Sequence, residues 1–331
     1  MQKNREVLLS LKGVKTYFPI RKGIIKRVVG YVKAVDGIDM DIYRGETIGL
    51  VGESGCGKTT LGKAILQLVP STEGEMNYNF EDEVKDLKKL SAKELNEARK
   101  KLQIIFQDPY SSLNPALNIF GSLQDPLKRF GVKKKADIEK IIGDLLEAVN
   151  LRREYLYRYP HEFSSGQRQR IGIARTLSVN PEFIICDEAV SALDVSIKAQ
   201  VIKLLQKLKE ERNLTYLFIT HDLSVVEYIS DRVAVMYLGR IVELANNEDL
   251  FSNPLHPYTK ALLSAIPVVS LDKKLKRIVL NGDVPSPVDP PSGCPFHPRC
   301  PECKEICKTK IPELKRYGTD NEHFVSCNLL D

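Results

Sequence analysis

The 331-residue chain contains no tryptophan and only four methionines. No window approaches the roughly 18 consecutive apolar residues that a membrane-spanning helix needs, so any role at a bilayer is expected to come through partner proteins. The opening stretch MQKNREVLLSLKGVKTYF is broken by Lys12 and Lys15 and lacks a signal-peptide core, which predicts a soluble chain. No internal repeat is visible, which sets aside solenoids and propellers. The excess of one charge sign is also small: the net charge of +6 fits an ordinary solvated surface with excess lysine better than a face for a membrane or nucleic acid. The missing tryptophan, the few methionines and the lysine-rich surface together are a compositional hint of heat adaptation.

What remains is ordinary for a folded protein: 43% hydrophobic and 28% charged residues, in a length that buries one large core or one core plus a small appended unit. Short apolar–polar alternations between residues 5 and 50, such as Val32 to Val35 and Ile38 to Ile42, predict antiparallel strands, with basic Arg21 to Lys33 as a hairpin or loop. Thr47 to Val51 reads as a buried strand and Thr59 to Leu68 as a helix. Residues 81–101 are charged and lysine-rich, hence surface. Ile138, Ile141, Ile142, Leu145, Leu146 and Val149 recur at helical spacing, which predicts an amphipathic helix over 134–150. Strands at Phe183–Cys186, Tyr216–Thr220 and Arg232–Met236, with helical segments between them, make an α/β sheet. Beyond about Asn253, prolines crowd the chain from Pro285 to Pro301, so that segment cannot be regular helix or sheet and needs another source of order.

Chemistry concentrates at a few places. Gly52-Glu53-Ser54-Gly55-Cys56-Gly57-Lys58-Thr59-Thr60 contains G-x4-G-K-T between a strand and a helix. Its glycines let backbone N–H groups turn inward around phosphates, Lys58 reaches the β- and γ-phosphates, and the Thr59 hydroxyl coordinates Mg²⁺. The apolar run Phe183 to Cys186 ends in Asp187, suited to Mg²⁺, and Glu188, suited to polarise an attacking water; a helix-capping role is the alternative for Glu188. Gln107 follows Ile104-Ile105-Phe106 and His221 follows the strand ending at Thr220, both placed to sense a γ-phosphate. Phe163-Ser164-Ser165-Gly166-Gln167 opens a further helix, whose N–H groups and hydroxyls suit an anion. It lies more than a hundred residues after the phosphate loop, which suggests that a second chain completes the nucleotide site.

Over roughly residues 6–250 these parts resemble the ATP-binding-cassette (ABC) ATPases. GESGCGKTT is similar to the Walker A motif, FIICDE to Walker B, Gln107 to the Q-loop and FSSGQRQRIGIARTL to the signature. Ser191-Ala192-Leu193-Asp194 is similar to the D-loop and His221 to the switch histidine. The resemblance implies a P-loop, RecA-like α/β core with an antiparallel β subdomain and a helical subdomain at about 108–178. Phe18, with Tyr17 as the alternative, falls where the family stacks an aromatic on adenine. The usual signature LSGGQ differs in that Ser165 stands in place of its first glycine.

The tail segments NPLHPYTKALLSAIP and GDVPSPVDPPSGCPFHPRCP resemble the oligopeptide/dipeptide branch of bacterial importer ATPases. The implied domains are a nucleotide-binding domain at 1–250 and an extension at 251–331, Cys-rich from 282. The implied function is ATP hydrolysis driving peptide uptake, peripheral to the cytoplasmic membrane face. Implied partners are a second cassette, identical or paralogous, two permease subunits and an extracytoplasmic peptide-binding protein, with no nucleic acid. Import of nickel or another small solute, and a soluble ABC ATPase in translation or repair, are the alternatives.

Five of the seven cysteines, Cys294, Cys300, Cys303, Cys307 and Cys327, fall in the last 38 residues. A nucleotide-binding protein inside the cell sits in a reducing compartment, which favours a metal site over disulfides. The long spacings of Cys294, Cys300, Cys307 and Cys327 lean toward a [4Fe–4S] cluster that orders the tail; Zn²⁺, using Cys303, His297 or His323, and unmetallated thiols are the alternatives.

Overall fold

The computed structural model describes residues 5–24, 26–81, 83–108, 113–266, 278–318 and 322–330. Pro267 of the first tail segment and residues 109–112 of the expected helical subdomain lie outside them. The chain divides into two units, Met1–Leu90 with Thr220–Asp331, and Ser91–Ile219.

In the first unit, Val7–Lys22 and Arg27–Tyr43 form an antiparallel hairpin, so the basic stretch becomes its tip. Alternation decides which face is covered: Leu9, Leu11 and Val14 are buried, as are Val35, Ile38 and Ile42 on the partner strand. Glu73–Phe80 and Glu83–Asp86 extend this into a four-stranded sheet in the order Arg27–Tyr43, Val7–Lys22, Glu73–Phe80, Glu83–Asp86. A second sheet pairs Thr47–Val51 in parallel with Arg232–Tyr237, which pairs antiparallel with Arg240–Asn246. All five residues of Thr47–Val51 are buried, as expected of a parallel strand covered on both faces. The helix after it runs Lys58–Ile65, shorter than the apolar pattern suggests, because Gln67 turns left-handed at φ 52°.

The second unit carries three parallel strands, Leu102–Ile105, Phe183–Asp187 and Thr215–Ile219, the middle one paired on both sides. Its helices include Ile119–Arg129, Lys135–Ala148, Ser165–Leu177 and Val195–Arg212. Helix Lys135–Ala148 buries Ile138, Ile142, Leu145 and Leu146, as their spacing predicts, and ends where Asn150 adopts φ 58°. The charged region 81–101 is more ordered than expected. Besides strand Glu83–Asp86 in the first unit, it holds helix Ala92–Lys101, started by a capping box between Ser91 and Glu94. That S-x-x-E signal stands in the sequence, masked by the lysines around it.

The proline-rich part of the tail forms no strand and only a single 3-10 turn, His297–Arg299, among its described residues up to Cys303. Its buried residues join an apolar core. Cys294, Phe296 and Cys307 are buried in one apolar cluster with Tyr237, Tyr258, Val235 and Leu250. The Cys294 N–H donates to the Cys307 carbonyl at 2.8 Å. Further on, Phe324–Val325 adds a short strand to Arg240–Asn246.

Candidate nucleotide site

The phosphate loop owes its shape to two glycines. Gly52 sits at φ 151° and Gly57 at φ 108°. A Cβ on the first would strike the Met236 carbonyl, and one on the second the Ala34 carbonyl, so neither position admits a side chain. Gly57 is also the N-cap of helix Lys58–Ile65, which no side chain caps. The first turn of that helix thus presents backbone N–H groups and the positive end of its dipole, the arrangement that suits phosphate. Lys58 is buried, and its ammonium donates to the carbonyls of Gly52 at 2.7 Å and Glu53 at 3.0 Å. Cys56 is buried beneath the loop, and burial raises its thiol pKa. Ser54, Gly55 and Thr59 are exposed; Thr60 is half-buried.

Two partners of this loop were not read from the sequence. The Glu53 N–H donates to the Tyr258 hydroxyl at 2.9 Å. The Glu53 carboxylate forms a two-toothed ion pair with Arg299, at 2.7 and 3.0 Å. Both partners lie in the tail segments that the importer resemblance rests on, in HPYT and HPRCP. The motifs were visible; their target was not.

The same unit holds the two aromatic candidates. Tyr17 donates its hydroxyl to Asp36, and burial together with that carboxylate raises its pKa. Phe18, opposite Val32 in the hairpin, is more than a third exposed. His221 is exposed, just beyond Thr220, whose N–H donates to the Leu50 carbonyl.

In the second unit, the Gln107 side-chain amide donates to the Glu188 carboxylate at 2.9 Å, joining two residues 81 apart in sequence. Glu188 follows the buried Asp187 and adopts φ 49°, an uncommon backbone for a non-glycine residue. Its N–H donates to the Ile219 carbonyl at 2.9 Å, and its own carbonyl accepts from the Ser191 hydroxyl at 2.9 Å. Leu193 is buried, Ala192 is exposed, and Asp194 starts helix Val195–Arg212.

The signature begins helix Ser165–Leu177. Ser164 and Gln167 form a capping box: the Gln167 N–H donates to the Ser164 hydroxyl, and the Ser164 N–H to the Gln167 side-chain oxygen. Gly166 is needed for packing, since a Cβ there would collide with Ile197. Ser165 stands in the first helical position without a positive φ, so the serine brings no backbone strain there.

Among the described residues, no group of three or more His, Cys, Asp or Glu side chains is drawn together to hold a metal ion. Burial, helped by the neighbouring cysteines, pushes Cys294 up to about 11 and Cys300 up to about 12. Cys307 is buried in the apolar cluster, with Cys300 and Cys303 packed against it, and Cys327 is half-buried. The histidines are otherwise engaged: His323 pairs with Glu243 at 2.7 Å, and His297 contacts the Cys294 carbonyl. Apolar packing surrounds these thiols and contributes order to the tail.

Comparisons with known proteins agree with the phosphate loop and its surroundings. The family model described as ABC transporter matches residues 35–191, and the oligopeptide/dipeptide transporter, C-terminal region, matches 242–307. The chain is 52% identical to the oligopeptide transport ATP-binding protein AppF of Bacillus subtilis, over 98% of each. It is 46% identical to the dipeptide transport ATP-binding protein DppF of Haemophilus influenzae, over 99% of this chain and 98% of that protein. Among solved structures, it is similar to the dimeric, post-hydrolysis ATP-binding cassette MJ0796 bound to ADP and Pi, with TM-score 0.62 and 27% identity. That match covers 72% of this chain and 99% of that one.

Proposed function

The chain belongs to the ABC transporter ATPases, and from that premise we propose that it energises the import of dipeptides or oligopeptides. The observation that carries this reading is identity of 46–52% to peptide-transport ATP-binding proteins over nearly the whole chain, tail included. Among the described residues no helix is long and apolar enough to cross a membrane. In this reading the chain works through partners: a second cassette, two permease subunits and an extracytoplasmic peptide-binding protein, with this subunit on the cytoplasmic face. Residues 1–250 act as the cassette and 251–331 as its extension.

In this reading Gly52 to Thr60 bind the ATP phosphates, and Phe18 stacks on adenine. Thr59 and Asp187 hold Mg²⁺, which neutralises phosphate charge when bound. Lys58 moves its ammonium from loop carbonyls to phosphate oxygens. Glu188 orients and deprotonates the attacking water, Gln107 and His221 report the γ-phosphate, and Ser191 to Asp194 carry that state to the partner cassette. Ser164 to Gln167 face the partner's nucleotide. Replacing the chain in its host by the Glu188→Gln form should abolish uptake of labelled di- and oligopeptides, and the tagged protein should co-purify with two permeases. Loss of nickel uptake with peptide uptake intact would overturn the peptide assignment.

A further inference from the structure

Every polar handle of Glu53 is taken. Its N–H donates to the Tyr258 hydroxyl at 2.9 Å, its carbonyl accepts from Lys58 at 3.0 Å, and its carboxylate grips Arg299 at 2.7 and 3.0 Å. This is the second residue of the phosphate loop, whose carbonyl also accepts from the Cys56 N–H at 3.3 Å, and two of its four partners come from the C-terminal extension. The extension side is itself braced. Arg299 is 8% exposed, and its guanidinium also reaches the Tyr237 hydroxyl at 3.4 Å. Phe296, one turn earlier in the chain, packs against Tyr237 and Tyr258 with both ring centroids 5.3 Å away. Tyr258 is fully buried. The carboxylate side is more open, at 28%, which is where a loop needing adjustment has its freedom.

We propose that Arg299 is a positioning residue for the phosphate loop: by holding Glu53, the C-terminal extension fixes in cis the backbone that presents Lys58 and the helix N–H groups to ATP. The extension is then part of the nucleotide site, and not only a signature of transporter type. Two-toothed guanidinium–carboxylate pairing fixes direction as well as distance, which a lysine in the same place does not. A tail anchored anywhere else on the core would be equally well held. The pairing matters because its other end is one residue from a glycine that tolerates no side chain, and because the Glu53 carbonyl shares the Lys58 ammonium. The proposal rests on the reading that ATP phosphates bind at Gly52 to Thr59.

The test measures Mg-ATP affinity by calorimetry, alongside Tm, in the full-length protein and its variants. Arg299→Ala should weaken ATP binding about tenfold, equivalent to about 1.4 kcal/mol. Arg299→Lys should recover only part of the loss. Glu53→Gln gives the sharper reading. If Arg299 acted only through its charge, removing the negative Glu53 beside an anionic ligand would tighten ATP binding; positioning requires that Glu53→Gln weaken it. Combining Glu53→Gln with Arg299→Ala should then add little beyond either alone. Lowered Tm with ATP affinity unchanged within about twofold in Arg299→Lys and Glu53→Gln would overturn the proposal, and both variants keep their bulk should Arg299→Ala fail to fold. Lys58→Ala separates the two levels. If it binds ATP as the parent does, the site reading fails; if it loses ATP while the Arg299 and Glu53 variants keep it, this inference alone fails.

Discussion

Two helices of this protein begin with sequences suited to an anion, and they treat their N–H groups in opposite ways. Helix Lys58–Ile65 starts from a left-handed glycine and has no side-chain cap. Helix Ser165–Leu177 caps itself through Ser164 and Gln167. The first terminus keeps a demand that a phosphate meets. The second folds with that demand satisfied internally, so a nucleotide reaching it has to compete with, or add to, an existing pair of hydrogen bonds. The contrast matches their roles in the proposed cycle: one helix holds its own nucleotide throughout, and the other meets a partner's nucleotide and releases it.

The largest expected effect lies on the hydrolysing side. Glu188→Gln should lower turnover by roughly 10²- to 10⁴-fold, the usual worth of a general base, while leaving ATP binding intact. Size-exclusion chromatography with ATP should then show an accumulating dimer, the state in which both helix starts face nucleotide. Retained turnover would reject Glu188 as the base.

A middle-sized effect concerns the brace behind the phosphate loop. His256 caps the helix carrying Tyr258, and burial lowers its pKa to about 4. In the unfolded chain it titrates near 6.5, so between these values the unfolded state binds the extra proton and stability falls as pH falls. The full swing is about 3 kcal/mol, present above pH 6.5 and lost by about pH 4. Glu243 adds to the loss at lower pH. Burial alone would raise its pKa, but hydrogen bonds from His323 and from the Leu255 and His256 N–H groups bring it below the usual value. His256→Asn, which keeps a capping side chain, should flatten the profile between pH 6.5 and 4 in chemical denaturation. An unchanged slope would remove His256 from the account.

The smallest effects separate the residues of the signature. Ser164→Ala should cost about 1 kcal/mol, the ordinary price of a lost N-cap, read as a lower urea midpoint. Ser165→Gly, which restores the family's usual glycine, should change stability by less than about 1 kcal/mol, because the native backbone there needs no glycine. A larger loss in Ser165→Gly than in Ser164→Ala would mean that the self-capped description of this helix is wrong.

Much of this was legible in the residues. Strands Thr47–Val51, Phe183–Asp187 and Thr215–Ile219 are short apolar runs bounded by turns, and their burial follows from that composition. The hairpin and helix Lys135–Ala148 were legible from period alone. Helix Ala92–Lys101 was not, because ten residues rich in lysine and glutamate bury only Ala98 completely and so leave almost no periodic trace. The Gln107–Glu188 contact was not read from the sequence; it needed two parallel strands in register to exist. The tail was legible only in part: prolines and cysteines signal an irregular chain that needs holding, and sequence does not show which aromatic rings pack into it.

By itself the sequence determined the local chemistry: the glycines that shape the phosphate loop, the Ser–Gln box of the signature and the acids that end a buried strand. These are set by residue types at fixed short spacings, where backbone geometry leaves little choice. Only the tertiary structure decided what the second residue of the phosphate loop is for. Its partners lie 205 and 246 residues away. An ion pair across that distance has no periodicity and no spacing rule; it exists because an aromatic cluster folds the tail back onto the loop it steadies.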